Sequence, residues 1–586
     1  MRGVLLLVVL GLALAARLWV LVSLHFDGLY GQDAFAYYYH GVALWRDHTL
    51  TYPWPWLPRP LPLFFPLGES ALLAGAFALR GQATVTAALA ISVICGVATV
   101  GLVYGLALRV ADRLYGPALA SVTAVLAAAP SALAGLLVQA SATIMSDAPA
   151  LFWATAALWL WTLTEPSEPH RTHGSHPLLG RRLQDPITGP SPRRGHALPR
   201  PPPSLPAFAA GICYALAVST RWEYALLALP MGAYLPAVPQ LSRRLLPAIL
   251  GALLAGMPQL LYSLQYSDPV LHHQWLTGWN PVHLWQARFV TVDGIQHYRM
   301  SVGAFYLLRP LLSPQSLPLP LAPFLPLGIA ALAGRRLPAC PWRGRDQTTH
   351  GAADAVSTSH ASPRFGVLPE SQPSPRRGFS GPSGHTGPVL ALLLSWWLAP
   401  ALYLAGVPFE SDRFTLIYLP PLAILEAIGF VTTVATLAGW IARYRRHVVL
   451  LAGLWAVCGL GLLAAQARGG IEVLAQGKEG DLAAVGWLRG HALPGAPIAT
   501  FGLTLMLYHY GDPAAHHWTL LDLSAATSSD LARASRDPAL IVVVNEGNLA
   551  AQWRGLPPQR AFVWLQVHAH LRPQAHVGGY TIFRRL

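Results

Sequence analysis

Tyr30-Gly-Gln-Asp-Ala-Phe-Ala-Tyr-Tyr-Tyr-His40 follows directly on an apolar run from Val4 to Leu24. The run is long enough to span a bilayer, so this stretch stands where a span has just reached water. A carboxylate at that boundary costs free energy to desolvate, which makes Asp33 a candidate for chemistry. If residues 31–46 form a helix along the interface, Asp33, Tyr37 and His40 fall near one face at i, i+4 and i+7. A half-dry mouth lifts a carboxylate's pKa toward working pH, as a general base requires. The competing reading makes Asp33 a helix N-cap. Residue chemistry alone weighs the two evenly.

The chain around it has 586 residues, 53% hydrophobic and 11% charged. Soluble domains carry about 25% charged residues, so this composition indicates a polytopic membrane protein. About eleven apolar runs approach spanning length: 4–24, 83–109, 117–136, 147–164, 207–220, 223–239, 245–264, 317–334, 389–407, 414–436 and 448–466. Segment 61–80 is short and flanked by Pro, which suits an interfacial or re-entrant helix. The first run exceeds a signal-peptide core and is expected to stay as a helix.

Basic residues outnumber acidic ones by 40 to 26, and Lys478 is the single lysine. The arginines cluster in loops between spans, so positive-inside topology explains them better than nucleic acid does, and no nucleic-acid partner is expected. Alternation then places the N-terminus inside and the C-terminus outside. Asp33, Asp147, Arg221, the 265–310 loop and Glu410-Ser-Asp-Arg413 all fall on the outer side. The loops 165–206 and 335–388 are rich in Pro, Arg, Ser and Gly; both contain Pro-Ser-Pro-Arg-Arg-Gly and read as disordered linkers. The four cysteines have no metal or disulfide spacing.

The expected architecture is mostly α: a membrane helix bundle over 1–470 and a small extracytoplasmic α/β domain over 471–586. In the latter, 481–491 reads as an amphipathic helix, and 498–501, 539–544, 561–567 and 580–584 read as strands.

Each candidate group has a plainer alternative. Asp147 precedes Ala148-Pro149 and is well placed to cap a helix. Arg221 has Glu223 as a local partner, and Arg413 has Glu410 or Asp412. Arg299 with His297 is a weaker cationic pair. Tyr52-Pro-Trp-Pro-Trp56 and His272-His-Gln-Trp275 suit the bilayer interface better than sugar stacking, and no third ligand makes a zinc site.

Taken in order, Gly31-x-Asp33-x-x-x-Tyr37, Phe65-Pro-Leu-Gly68, Met145-Ser-Asp-Ala-Pro149, Ser219-Thr-Arg-Trp-Glu223 and Arg413-Phe-Thr-Leu-Ile-Tyr-Leu-Pro-Pro421 resemble the GT-C glycosyltransferases. More narrowly they are similar to the bacterial family 39 type, related to protein O-mannosyltransferases and lipid A aminoarabinose transferases. The resemblance covers roughly residues 1–440 outside the two inserted loops. It implies transfer of a sugar, with inversion, from a polyprenyl-phosphate donor to a glycan, lipid or protein acceptor outside the plasma (inner) membrane. On this resemblance Asp33 is the general base and Asp147 a second acid orienting base or acceptor. Arg221 and Arg413 take the lipid phosphate, with Arg299 and His297 as further donor contacts, and Tyr37 and His40 line the substrate. Many relatives pair two acids in the first loop; here Gln32 precedes Asp33, so neither a metal nor another cofactor is expected.

Two other functions compete. A lipid-linked sugar transporter or flippase would show internal repeats with charges near the midplane. A non-catalytic scaffold would tolerate loss of Asp33.

Overall fold

A computed structural model describes residues 2–164, 204–237, 242–266, 278–291, 293–313, 315–334 and 386–586. The loops expected at 165–206 and 335–388 lie almost wholly outside them, as does His272-His-Gln-Trp275.

The membrane part is a bundle of helices. Its first half contains α1 (Arg2–Ser23), α2 (Gln32–Arg46), α3 (Gly68–Arg80), α4 (Val85–Leu114), α5 (Pro117–Leu133), α6 (Gly135–Ala142) and α7 (Asp147–Leu163). Then follow α8 (Ser204–Thr220), α9 (Ala228–Ala233), α10 (Ser242–Gln265), α11 (Val302–Leu312), α12 (Leu325–Leu332), α13 (Thr386–Ala405), α14 (Leu419–Trp440) and α15 (Arg445–His491). Six helices among the described residues are long and apolar enough to cross a membrane, or seven if the pair α5–α6, bent by 55°, counts as one span. This is fewer than the eleven runs read from the sequence. The runs do form helices, but several are short or broken. The 17 residues of α8 reach only about 26 Å at 1.5 Å per residue, against a hydrocarbon core of about 30 Å. The run 223–239 divides into a 3-10 turn, Trp222–Leu227, and short α9.

Close helix approach is set by small residues, as bilayer packing favours. A Cβ at Gly211 would strike the Ala248 carbonyl, and one at Gly251 the Phe208 carbonyl. α8 and α10 therefore pack backbone to backbone. Among the described residues, Arg17 (0% exposed) and Glu426 (1%) are buried within helices, away from their ends. The break at Ala134 removes Ala132 from the regular ladder, and Arg17 Nη1 fills the gap, donating to the Ala132 carbonyl (3.2 Å) and to Ala13 (2.8 Å).

α15 is a single helix of 47 residues, about 70 Å long and more than twice the bilayer core. The domain boundary expected at 470 falls inside it. The helix carries the chain from the bundle into a mixed five-stranded sheet. The strands are β1 (Pro497–Thr500), β2 (Thr519–Asp522), β3 (Ile541–Val544), β4 (Leu571–Val577) and β5 (Tyr580–Arg585), in the order β2-β1-β3-β5-β4. β1 pairs in parallel with β2 and β3, and β5 runs antiparallel to β3 and β4. All four residues of β3 are buried, matching the unbroken Ile-Val-Val-Val run of a strand covered on both faces. One expectation is corrected: 561–567 is not a strand but part of helix Pro557–His568. Pro557 and Pro558 start that helix, and buried Ala561, Phe562 and Leu565 recur at helical spacing.

The sheet domain is tied to α2 and the segments that flank it. Buried Lys478 Nζ ion-pairs with Asp27, and Tyr510 donates to Asp27 Oδ2 (2.6 Å). The Tyr39 hydroxyl lies 2.9 Å from His509 Nδ1, and Tyr52 and Tyr508 share a bond of 2.8 Å. Trp54 and Trp56 join this cluster, with rings 6.0 and 5.6 Å from Tyr508. The Tyr52–Trp56 aromatics therefore serve interdomain packing.

Candidate active site

Four chain breaks between helices deliver the charges to one place. Gly31, at a φ of 78°, turns the chain into α2 and puts Asp33 in its first turn. Asp147 opens α7, Arg221 sits extended after α8, and Arg413 lies in the 3-10 turn Asp412–Tyr418 ahead of α14.

Arg413 Nη2 donates to Asp33 Oδ2 at 2.6 Å, and its Nε stands 3.8 Å from Asp147 Oδ1. Arg221 Nη1 donates to the same Asp147 oxygen, and its Nε donates to Glu223 Oε1 at 2.5 Å. The result is a chain of alternating charge: Asp33, Arg413, Asp147, Arg221, Glu223. Both guanidinium carbons lie near the Phe414 ring, 4.9 Å for Arg221 and 5.8 Å for Arg413, which adds cation–π attraction. Neither acid acts as a helix cap; the N-cap positions are Gly31 and Ser146, and neither makes a side-chain cap bond.

Burial grades along this chain. Side-chain exposure is 4% for Asp147 and 9% for Arg221, but 24% for Asp33 and 34% for Arg413. The Asp147–Arg221 pair is the more buried of the two, and the Asp33–Arg413 end faces a cavity of about 760 Å³. That volume is in the range of small-molecule sites. Tyr37, Phe65, Arg221 and Glu223 also line it. The Tyr37 hydroxyl bonds Ser146 Oγ at 2.9 Å, tying α2 to the start of α7.

Not every candidate gathers there. His40 is buried between the Ala36 carbonyl (2.8 Å) and the Leu61 carbonyl (3.2 Å), off the cavity wall. His297 and Arg299 are exposed and do not line the cavity; Tyr298 between them does. The local pairing considered for Arg413 does not form, because Asp412 is taken by Arg309 in a two-bond fork of 2.5 and 2.9 Å. Among the described residues no three His, Cys, Asp or Glu are grouped to hold a metal.

The wall also carries Asp293 and Gln552, which were not singled out from the sequence, and Glu410, which entered only as a local partner for Arg413. With Arg309 engaged by Asp412, Glu410 Oε1 is buried without a hydrogen-bond partner. Burial raises the Glu410 carboxyl to about 7, with Arg309 opposing and Asp412 reinforcing the shift. Asp293 is also raised, by burial and then by Asp33. The cavity thus holds carboxylates of two kinds: Asp33 and Glu223 neutralised by guanidinium, Glu410 and Asp293 not.

No protein-family model matches the chain, and no curated protein is detectably similar in sequence. Solved structures are similar in fold. ArnT from Cupriavidus metallidurans bound to undecaprenyl phosphate matches with a TM-score of 0.53 at 13% identity, covering 99% of this chain and 98% of that one. Its apo state matches at 0.51 and 13%, covering 99% and 97%. The oligosaccharyltransferase AglB from Archaeoglobus fulgidus gives 0.48 and 13%, covering 93% and 70%. ArnT is a membrane glycosyltransferase of the GT-C superfamily. This chain has the GT-C fold. The GT-C likeness extends over the sheet domain as well as the helices, since almost the whole of each chain is aligned with ArnT.

Proposed function

We propose that this protein is a membrane glycosyltransferase that moves a sugar from a polyprenyl-phosphate carrier to an acceptor hydroxyl outside the membrane. The observation that carries this reading is the meeting of Asp33 and Arg413, 380 residues apart in sequence, at the mouth of one cavity, with Arg221 behind them. The undecaprenyl phosphate held by ArnT, on the same fold, supports a lipid phosphate as the donor's leaving group.

Arg413 is the more accessible guanidinium and meets the donor phosphate. Arg221, turned inward, holds Asp147, which in turn backs Arg413 Nε. When the phosphate takes Arg413, an oxygen of Asp33 is released to accept a hydrogen bond from the acceptor hydroxyl. The acceptor oxygen then bonds to the anomeric carbon while the bond from that carbon to the phosphate oxygen breaks on the opposite face. The phosphate leaves with the electron pair and Asp33 takes the proton. Fixed positive charge at the leaving oxygen is the main stabilising effect expected here.

The test is transfer by purified protein in lipid, supplied with radiolabelled polyprenyl-phosphate sugars and an envelope acceptor fraction. No transfer with any donor would leave the scaffold reading standing. Arg413→Ala is expected to weaken undecaprenyl phosphate binding and to slow transfer at least about tenfold, or 1.4 kcal/mol. Normal binding and turnover in that variant would remove the phosphate role.

The wall residue Glu410 makes a separate prediction about pH. Its carboxyl loses a proton as pH rises through about 7, adding negative charge to the cavity. Donor binding should therefore weaken between about pH 6 and about pH 8, and Glu410→Gln should flatten the profile. A donor phosphodiester does not titrate in that window, so a slope that persists in Glu410→Gln would refute the assignment.

A further inference from the structure

Among the described residues that line the cavity, Gln552 alone comes from the sheet domain. It stands just past helix Glu546–Ala551, as its C-cap, so its carbonyl has no partner within that helix. A short hairpin, Arg288–Thr291 paired with Gly294–His297, uses this free acceptor. The Ile295 amide donates to the Gln552 carbonyl at 2.6 Å, and Gln552 Nε2 donates back to the Asp293 carbonyl at 2.5 Å. Gly294 makes the approach possible twice over: its φ is +99°, and a Cβ there would lie 2.7 Å from the Gln552 carbonyl oxygen.

An isolated two-stranded hairpin is marginally stable in water, so a docking partner decides where this one rests. Its placement matters because Asp293 and Gln296 on the hairpin, and Tyr298 just after it, all reach the cavity. These groups are a carboxyl without a guanidinium partner among the described residues, a carboxamide and a phenol. They suit hydroxyls and would repel or ignore a phosphate, which has Arg413. The hairpin also lies on the sheet-domain side, whereas a lipid-borne donor arrives from the bilayer.

Resting on the transferase reading above, we infer that Gln552 is a positioning residue: it docks the 288–297 hairpin so that Asp293, Gln296 and Tyr298 form the acceptor side of the cavity, for a hydroxyl-rich saccharide. The sheet domain then takes part in acceptor selection through one side chain.

The test compares full-length wild type with Gln552→Glu, which keeps size and the main-chain acceptor but removes the donor to Asp293, and with Gly294→Val, which blocks docking from the hairpin side. Hydrogen exchange at the Ile295 amide needs no substrate and should speed up about tenfold in both variants. In transfer assays the half-saturating concentration of the envelope acceptor fraction should rise about tenfold, with kcat and undecaprenyl phosphate binding within about twofold of wild type. Unchanged Ile295 exchange overturns the docking, and faster exchange with unchanged acceptor saturation overturns the positioning role. Absence of any transfer by the wild type would instead count against the enzyme reading, while Ile295 exchange still decides whether Gln552 holds the hairpin.

Discussion

Asp33→Asn is expected to lower transfer by roughly 10²–10⁴-fold, the usual weight of a positioned general base, while undecaprenyl phosphate stays bound. Asparagine fills the same space, and its carbonyl oxygen still accepts from Arg413 Nη2 as the carboxylate does at 2.6 Å. What it cannot do is take a proton from the acceptor. The substitution also removes one negative charge beside the donor phosphate, so binding should hold or tighten. That split separates a missing base from a collapsed site. Binding of undecaprenyl phosphate and single-turnover transfer in the same preparation give both halves, and wild-type rates in Asp33→Asn would end the base assignment.

The second large effect is on stability. Arg221→Ala leaves Asp147 and Glu223, 4% and 16% exposed, without their shared cation. Removing one partner of a buried pair typically costs 3–5 kcal/mol, because the remaining charge is stranded. A sharp fall in thermal midpoint in detergent is the expected result. Arg221→Lys should recover little of it, since one ammonium cannot serve two carboxylates held by separate nitrogens. Arg221→Met combined with Asp147→Asn should recover more, because the most buried carboxylate goes with its cation and only the more exposed Glu223 stays unpaired. A double variant no more stable than Arg221→Ala would show that the pairing is not what the site depends on. Loss of activity in Arg221 variants therefore needs this control before it says anything about phosphate.

How far the site could be read from the chain depended on solitude. Asp33, Asp147, Arg221 and Arg413 each stand at the end of an apolar run, where a charge is conspicuous, and the folded chain brings all four together. His40 was drawn in by helical spacing, but its two ring nitrogens face the carbonyls of Ala36 and Leu61 and the ring does not line the cavity. Glu410 was visible only as a local partner for Arg413; its isolation arises because Arg309, from a helix 103 residues earlier, claims Asp412. Gln552 offered no signal at all, being a neutral residue in a polar helix end whose role exists only after two parts of the chain dock. Fewer helices than apolar runs reach spanning length among the described residues, because hydropathy measures apolar length but not continuity. Short 3-10 turns at Trp222–Leu227 and Asp412–Tyr418 interrupt or delay helices there, and it is at these interruptions that Arg221 and Arg413 meet the cavity wall.

The unbroken course of α15 has a mechanical meaning. Because no hinge separates its bilayer portion from the part bearing Lys478, torque applied at one end reaches the other. Adding a single residue between them would swing the sheet by about 100° around the rod, carrying Gln552 away from Ile295 and Lys478 away from Asp27. The spacing along this shaft is thus quantised in helical turns, and the sheet module cannot be exchanged for another as a bead on a string would be.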